Sequence, residues 1–244
     1  MSETRRTAVD LFSYLIEWRD QLAPLGGDAG RFVDYCIANL RYSKSQLLQD
    51  LWVSFELNEL RGGFFVEFGA LDGVHFSNSY WLEKHMEWRG ILAEPGRTSH
   101  RRLFAARDCV IDRRCVWSKT GELLEFNETA ESALSTIDSY SSSDQHAPAR
   151  VNGNRYTVET VSLGDLLDYH RAPRRIDYLS VDTEGSEFAI LQAFDFDLYD
   201  VRAITVEHNF QPNREALYAL LTSKGFQRKF EEFSQWDDWY LKIY

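Results

Sequence analysis

One stretch of the chain, FFVEFGALDGVHFSNSYWLE at residues 64–83, limits its fold more than any other. An apolar, β-prone run reaches Glu67, the polarity changes at Gly69, and Asp72 and Gly73 follow before a helical pattern begins. A strand, a glycine-containing loop and a helix in this order form the opening unit of an α/β sheet.

Strand-like and helical patterns alternate from this stretch to the end of the chain. The strand-like runs are FFVEFG, GILAEP, CVIDRRCVW, YTVETVSL, IDYLSVD, AITVEHN and the closing pair FQRKFEEF and DDWYLKIY, with ELLEF as a short extra strand. Such alternation is typical of a parallel sheet flanked by helices, and the closing pair predicts a hairpin. The sequence therefore predicts an α/β fold with a seven-stranded, mostly parallel sheet, helices on both faces and an antiparallel C-terminal strand.

The residues before this sheet are predicted to be helical. Apolar side chains recur at helical spacing over residues 9–22, 30–39 and 45–60, and LGGDAG ends the first pattern. We therefore divide the chain into an N-terminal helical extension, residues 1–60, and a main domain, residues 61–244.

A long polar segment, residues 121–154, interrupts the alternation. Its portion SALSTIDSYSSSDQHAPARVNGN is rich in Ser, Asn, Gly and Pro and is much longer than the ~4–6 residues of an ordinary connection. Loops of this length often cover binding sites. We expect residues 127–154 to be mobile without ligand and to cover the substrate.

Composition argues against several function classes. With a net charge of −11 and a pI of about 5.0, the chain is not expected to bind nucleic acid, because Lys and Arg must neutralise phosphates to drive such binding. The three cysteines lack CxxC spacing, which predicts reduced thiols and a cytoplasmic location rather than a disulfide framework or a zinc site. No signal peptide is predicted, and no segment approaches the ~20 apolar residues that span a bilayer.

The glycine loop and the next strand predict a cofactor site. In open α/β sheets, ligands lie at the carboxyl edge of the strands, beside the first βα loop. Acids in that loop would repel a pyrophosphate and suit a cationic amino-acid ligand such as S-adenosylmethionine, while Glu94 at the end of GILAEP suits ribose hydroxyls. The predicted cofactor-binding residues are Glu67, Gly69, Ala70, Asp72, Gly73, Ser77, Asn78, Glu94, Pro95 and Asp182.

These motifs together resemble the FkbM-type methyltransferase family. The resemblance rests on SQLLQDLWV, GGFFVEFGALDGVHFSNSYWLE, WRGILAEP, CVWSKTGE, IDYLSVDTEGSEFAIL, ITVEHN and DDWY. It implies the class I methyltransferase fold, which is Rossmann-like, with S-adenosylmethionine as methyl donor. It also implies O-methylation of a sugar, a glycan or a small natural-product scaffold. Leu71 departs from the family pattern, which often has a polar residue there.

Acids that follow two later strands predict the chemistry. Loss of a proton from the acceptor hydroxyl requires a general base or a divalent cation that lowers the pKa of the hydroxyl. The predicted catalytic residues are His208, Asp182 and Glu184, with His208 or Glu184 as the base. Asp182, Glu207 and Asn209 are predicted to hold Mg²⁺, in an arrangement similar to that of catechol O-methyltransferase. Alternatively, Asp182 orders its loop and contacts the cofactor, and His208 caps its strand.

Three further functions are compatible with parts of this pattern. A Rossmann oxidoreductase would need a pyrophosphate-binding loop, and the acids in EFGALDG count against one. A non-catalytic Rossmann-like binding protein would keep the fold without turnover, and an N-methyltransferase would use the same cofactor on a nitrogen of a small molecule. The expected partner is a small-molecule or glycan acceptor, and the sequence is compatible with a homo-oligomer.

Overall fold

A central sheet of seven strands organises the protein. The computed structural model describes residues 13, 16, 17, 19–21 and 27–244. The strands of the central sheet are β1 (Phe64–Phe68), β2 (Arg89–Ala93), β3 (Val110–Asp112), β8 (Arg175–Val181), β9 (Asp200–Glu207), β10 (Phe226–Lys229) and β11 (Asp237–Lys242). They lie in the order β10-β11-β9-β8-β1-β2-β3. Neighbours among β1, β2, β3, β8 and β9 pair in parallel, whereas β11 is antiparallel to both β9 and β10. This mixed α/β sheet has the predicted strand number and the predicted terminal hairpin.

Helices cover both faces of the sheet. The helices are α1 (Asp28–Asn39), α2 (Gln49–Glu56), α3 (Tyr80–Met86), α4 (His100–Ala106), α5 (Ala147–Arg150), α6 (Leu163–Tyr169), α7 (Glu187–Ala193), α8 (Asn213–Ser223) and α9 (Glu231–Ser234), with 3₁₀ turns at Ser132–Leu134 and Asp138–Tyr140. Successive residues of a strand face opposite sides of its sheet. Thus Val66 packs with α6, α7 and α8, whereas Phe65 packs with α1 to α4.

The N-terminal region packs directly on the sheet where it is described. Phe32 of α1 and Trp52 of α2 belong to the same buried cluster as Phe65 of β1 and Trp239 of β11. The predicted helix over residues 9–22 lies outside the described residues, apart from isolated positions. The division of the chain at residue 60 stays a prediction.

A second, smaller sheet corrects two strand assignments. It contains β4 (Cys115–Trp117), β5 (Leu123–Glu128), β6 (Thr136–Ile137) and β7 (Asn154–Ser162), in the order β4-β7-β5-β6. The run YTVETVSL is therefore a strand of this sheet and not of the central one. The run CVIDRRCVW is divided between the two sheets, because the Asp112 carboxylate accepts the Arg114 backbone N–H at 2.9 Å and turns the chain there.

The structure also describes the state of the cysteines and the length of the helices. All three cysteines are free thiols, with Cys36 and Cys115 buried and Cys109 half-buried. Within the part of the chain that the structure describes, no helix is both long enough and apolar enough to cross a membrane.

Candidate active site

The cavity that brings most of the predicted site residues together opens at the carboxyl edge of β1, β2, β8 and β9, and we call it the main cavity. It encloses about 300 Å³, and the segment after β5 together with Gln46 and Trp236 forms its outer wall. Nine predicted site residues line it: Glu67, Gly69, Asn78, Glu94, Pro95, Asp182, Glu184, Glu207 and Asn209. Five others do not: Ala70, Asp72, Gly73, Ser77 and His208. The structure therefore brings together the acids that the sequence assigns to four strand ends.

Glu67 supports the loop as well as facing the cavity. Its buried carboxylate accepts hydrogen bonds from the Asn78 backbone N–H at 2.8 Å, from the Ser77 hydroxyl at 3.2 Å and from the Ser79 hydroxyl. Burial raises the pKa of Glu67, and the Arg107 guanidinium opposes that shift. Glu67 thus orders the helix entry beyond the glycine loop.

Arg107 is a supporting residue that the sequence did not reveal. Its side chain is fully buried and donates to the Gly73 carbonyl at 3.0 Å, to Ser77 Oγ at 3.0 Å and to Ser79 Oγ at 2.8 Å. The same guanidinium lies 3.9 Å from Glu67 Oε2. A buried acid requires a compensating partner, so the acid at Glu67 predicts a nearby basic side chain. Nothing in the sequence identifies Arg107 as that side chain.

The remaining loop residues shape the turn. Asp72 Oδ1 accepts the backbone N–H groups of Val74 and His75 at 3.0 and 2.8 Å, as Asp commonly does in turns. Gly73 has a φ of +78°, and a Cβ there would lie 2.7 Å from side-chain atoms of Arg107. Ala70 belongs to the core. Their role is to hold the loop rather than to line the cavity.

Glu94 presents a carboxylate to the opposite side of the cavity. Its Oε2 accepts the Leu71 N–H at 2.9 Å and its Oε1 accepts the Gly96 N–H at 2.6 Å. Burial raises the pKa of Glu94 to about 7. Each carboxylate oxygen can accept a second hydrogen bond, so this group can still receive hydroxyl donors from a ligand.

Asn78 has an unused acceptor beside the glycine loop. Its Nδ2 donates to Ser180 Oγ at 2.9 Å, whereas its buried Oδ1 has no hydrogen-bond partner in the described part of the protein. Buried polar atoms are nearly always paired, so an orphaned acceptor at a cavity wall fits a donor group on a ligand.

Three carboxylates meet where β8 and β9 end. Asp182, Glu184 and Glu207 each place one carboxylate oxygen within 4.8 Å of the others. Burial raises the pKa of all three, and that of Glu184 is about 8. Asn209 Nδ2 lies 3.5 Å from Glu184 Oε2. The acid cluster therefore contains Glu184 beside the predicted pair Asp182 and Glu207, with Asn209 at its edge.

His208 is not brought into the cavity. His208 follows the last residue of β9 and lines a separate cavity of about 220 Å³, which Glu207 and Asn209 also border. Its Nδ1 accepts the Phe210 N–H at 2.9 Å, and burial lowers its pKa. Its Nε2 lies 3.7 Å from Asp238 Oδ1. With its Nδ1 lone pair engaged, His208 is poorly placed as a base for a ligand in the main cavity.

The outer wall comes from residues 129–151, which we call the covering segment, and from Trp236. Glu131 to Ser135, Ile137, Gln145 and His146 of this segment line the cavity. The Trp236 indole N–H donates to Gln46 Oε1 at 3.3 Å across the mouth. The cavity is thus bounded by parts of the chain that are far apart in sequence.

Comparison with solved structures finds distant likeness. A methyltransferase FkbM from Methylobacillus flagellatus is 14% identical with a TM-score of 0.48, and the likeness covers 93% of this chain and 58% of that one. A precorrin-6y C5,15-methyltransferase from Geobacter metallireducens is 13% identical with a TM-score of 0.44, covering 83% of this chain and 92% of that one. At these TM-scores the likenesses carry no conclusion about function. This chain spans 58% of the length of the Methylobacillus protein.

Sequence comparison gives the clearer result. No curated protein matches the chain. The model of the methyltransferase FkbM domain matches residues 67–242, which include the glycine loop, Glu94 and the acid cluster. The chain therefore belongs to the FkbM methyltransferase domain family.

Proposed function

We propose that this protein is an S-adenosylmethionine-dependent O-methyltransferase that acts on a hydroxyl of a sugar, a glycan or a small natural-product scaffold. The observation that carries the proposal is a single cavity with Glu94 on one side and the acid cluster of Asp182, Glu184 and Glu207 on the other. The first position suits the ribose of the cofactor, and the second suits a hydroxyl that must lose its proton.

The cofactor side contains groups of suitable polarity. Glu94 can accept both ribose hydroxyls, and the free Oδ1 of Asn78 can accept an N–H from the ammonium group of the methionine part. No glycine-rich pyrophosphate loop is present at this edge among the described residues. The acids there disfavour a dinucleotide, so an oxidoreductase function is disfavoured as well.

Methyl transfer is an in-line displacement, so the protein mainly aligns the acceptor oxygen with the methyl carbon and removes its proton. The carbon–sulfur bond of the sulfonium breaks as the carbon–oxygen bond forms, and the hydroxyl proton leaves to a base. Asp182 and Glu184 face the cavity and are better placed for this role than His208. Hydroxyl acceptors need this assistance because they are weak nucleophiles at neutral pH.

A magnesium ion is the second route to an activated hydroxyl. Asp182, Glu184 and Glu207 offer the hard oxygen ligands that Mg²⁺ prefers, and their mutual repulsion would be offset by a cation. When bound, the ion would lower the pKa of the acceptor hydroxyl. If it is needed, EDTA should abolish turnover and Mg²⁺ should restore it. Full activity after exhaustive chelation would leave the carboxylates alone as the base.

Mass spectrometry tests the proposed reaction. The protein is incubated with S-adenosylmethionine carrying a deuterated methyl group and with panels of glycosides, glycans and natural-product alcohols. The proposal predicts one acceptor class that gains a single labelled methyl group on oxygen, and little product with Asp182→Asn. Labelling on nitrogen only, or cofactor binding without turnover on every panel, would contradict O-methylation.

A further inference from the structure

The covering segment contains one arginine that reaches the acid cluster. Arg150, the last residue of α5, is fully buried. Its Nη2 donates to Glu184 Oε2 at 2.7 Å, its Nη1 to Asp144 Oδ1 at 2.7 Å and its Nε to the Leu134 carbonyl at 2.7 Å. The planar guanidinium therefore uses all three of its nitrogens to join the segment to one acid of the cavity.

The partners of Arg150 lie on both sides of the cavity wall. Leu134 and Glu184 both line the main cavity, whereas Asp144 lines the smaller neighbouring cavity. A second contact reinforces the connection, because the Thr136 hydroxyl donates to the Glu184 carbonyl at 2.9 Å. The position of Glu184 and that of the covering segment are thus fixed relative to each other.

Charge gives Arg150 a further role. Asp182, Glu184 and Glu207 lie together, and the charges of Glu187 and Asp237 also act on Asp182. Among the described residues, Arg150 is the basic side chain that forms an ion pair with any of these five acids. A buried acid that loses its only cationic partner is strongly penalised and would reorient.

The backbone at Glu184 explains why orientation needs outside support. Glu184 has a φ of 59°, in the left-handed region, and Gly185 follows with a φ of 123°. A Cβ on Gly185 would lie 3.0 Å from the Tyr140 ring of the covering segment. Glu184 thus has a left-handed backbone conformation that non-glycine residues rarely adopt, and it lies next to the covering segment. Conformations of this kind persist when the surrounding structure holds them in place.

We propose that Arg150 is a positioning residue for the acceptor end of the site. It holds the Glu184 carboxylate against the cavity and ties that carboxylate to the wall that covers the acceptor, without touching the reacting atoms. The assignment rests on the proposed methyl transfer, in which Glu184 faces the acceptor hydroxyl. Cofactor binding depends on the far side of the cavity and does not require Arg150.

The test compares Arg150→Met and Arg150→Lys with Arg155→Met. Arg155 is a matched control because its Nε binds Asp138 of the same segment at 2.9 Å while neither residue lines the cavity. Arg150→Met should lower kcat/KM for the acceptor by about 10²-fold, the effect expected when a reacting geometry shifts by about 1 Å. S-adenosylmethionine affinity should stay unchanged. Arg150→Lys should recover part of the loss, because lysine restores the positive charge but lacks the planar guanidinium that donates to several acceptors at once. Arg155→Met should behave as wild type.

Hydrogen exchange provides a readout that does not depend on turnover. Peptides from residues 129–151 should exchange faster in Arg150→Met and in Glu184→Gln, and at the wild-type rate in Arg155→Met. If Arg150→Met does not fold, Arg150→Lys decides the matter in both assays and Glu184→Gln only in hydrogen exchange, because Glu184 itself faces the acceptor. Unchanged acceptor kinetics or unchanged exchange in the folded variants would overturn the role of Arg150. Absence of turnover in the wild type, with the predicted exchange pattern intact, would instead count against the proposed reaction.

Discussion

Burial changes the acidity of the Glu94 carboxylate, which lines the main cavity. Its carboxylate accepts two backbone N–H groups, yet burial still raises its pKa from 4.5 to about 7. Desolvation therefore outweighs the two hydrogen bonds. Near neutral pH, a ligand that donates hydrogen bonds to this group would favour its ionised form.

The raised pKa predicts how stability depends on pH. The folded protein binds the Glu94 proton more tightly than the unfolded chain, so this contribution is fully present below pH 4.5 and is lost as the pH rises through about 7. The loss is on the order of 3 kcal/mol, because a shift of one pKa unit corresponds to about 1.36 kcal/mol. Urea denaturation should show a steeper fall in the free energy of unfolding between pH 5 and 8 for the wild type than for Glu94→Ala. Equal slopes would contradict the assigned pKa.

Gly69 is the residue that lets β1 and β8 approach each other at the cavity. Its φ is +70°, and a Cβ there would lie 2.1 Å from the Asp182 carbonyl oxygen. Gly121 is a matched control, with a φ of +82° and no atom within 4 Å of such a Cβ. Both alanine variants incur the left-handed penalty of about 1–2 kcal/mol, but Gly69→Ala must also displace backbone.

We therefore expect Gly69→Ala to lower the free energy of unfolding by clearly more than Gly121→Ala. Gly69→Ala should also weaken cofactor binding, because the added Cβ would displace the backbone of Asp182. Denaturant titration of the two variants gives the comparison. If Gly69→Ala were as stable as Gly121→Ala, the distance between Gly69 and the Asp182 carbonyl would have to be larger than in this structure.

At the scale of elements, the sequence predicted most of the central sheet and misassigned strands in the region between β3 and β8. β1, β2, β8 and β9 are apolar runs whose ends carry an acid, and both features are visible in the sequence. β7 is equally strand-like, with an alternating pattern, but local patterning does not specify which sheet a strand joins. It pairs with β5 and β4 in the second sheet instead.

The covering segment is more ordered than a polar loop would be. It contains β6, two 3₁₀ turns and α5, and Asn127 Nδ2 bonds both Ser141 Oγ and the Arg150 carbonyl. Composition indicated a long connection but could not show that Arg150 and Thr136 attach it to Glu184. The attachments are single, specific hydrogen bonds between distant residues, and sequence patterns do not encode such pairs.

Ligand binding should protect this segment from proteolysis. The segment lines the cavity, so a bound cofactor and acceptor would add contacts to it and reduce local opening. Limited proteolysis should cut within residues 129–151 more slowly in the doubly liganded protein than in the free one. Equal rates, with cleavage elsewhere also unchanged, would argue against its role as a cover.

At the scale of the whole molecule, two buried clusters on opposite faces of the sheet hold the carboxyl ends of four strands in one place. Because the α/β alternation predicts parallel strands, and parallel strands end at the same edge of a sheet, the convergence of Glu94, Asp182 and Glu207 could be predicted. It was harder to predict which cavity each side chain lines, because that depends on the exact residue at which each strand ends. His208, one residue beyond the end of β9, lines the smaller cavity, whereas Glu184 lines the main one.

Isothermal titration calorimetry with S-adenosylmethionine tests the central claim most directly. The wild type should bind one cofactor per chain and should not bind NAD. Glu94→Ala should bind S-adenosylmethionine about 10- to 100-fold more weakly, because hydrogen bonds to a charged group contribute about 1.5–3 kcal/mol. No binding of S-adenosylmethionine by the folded wild type, or equal affinity in Glu94→Ala, would contradict the assignment of this cavity.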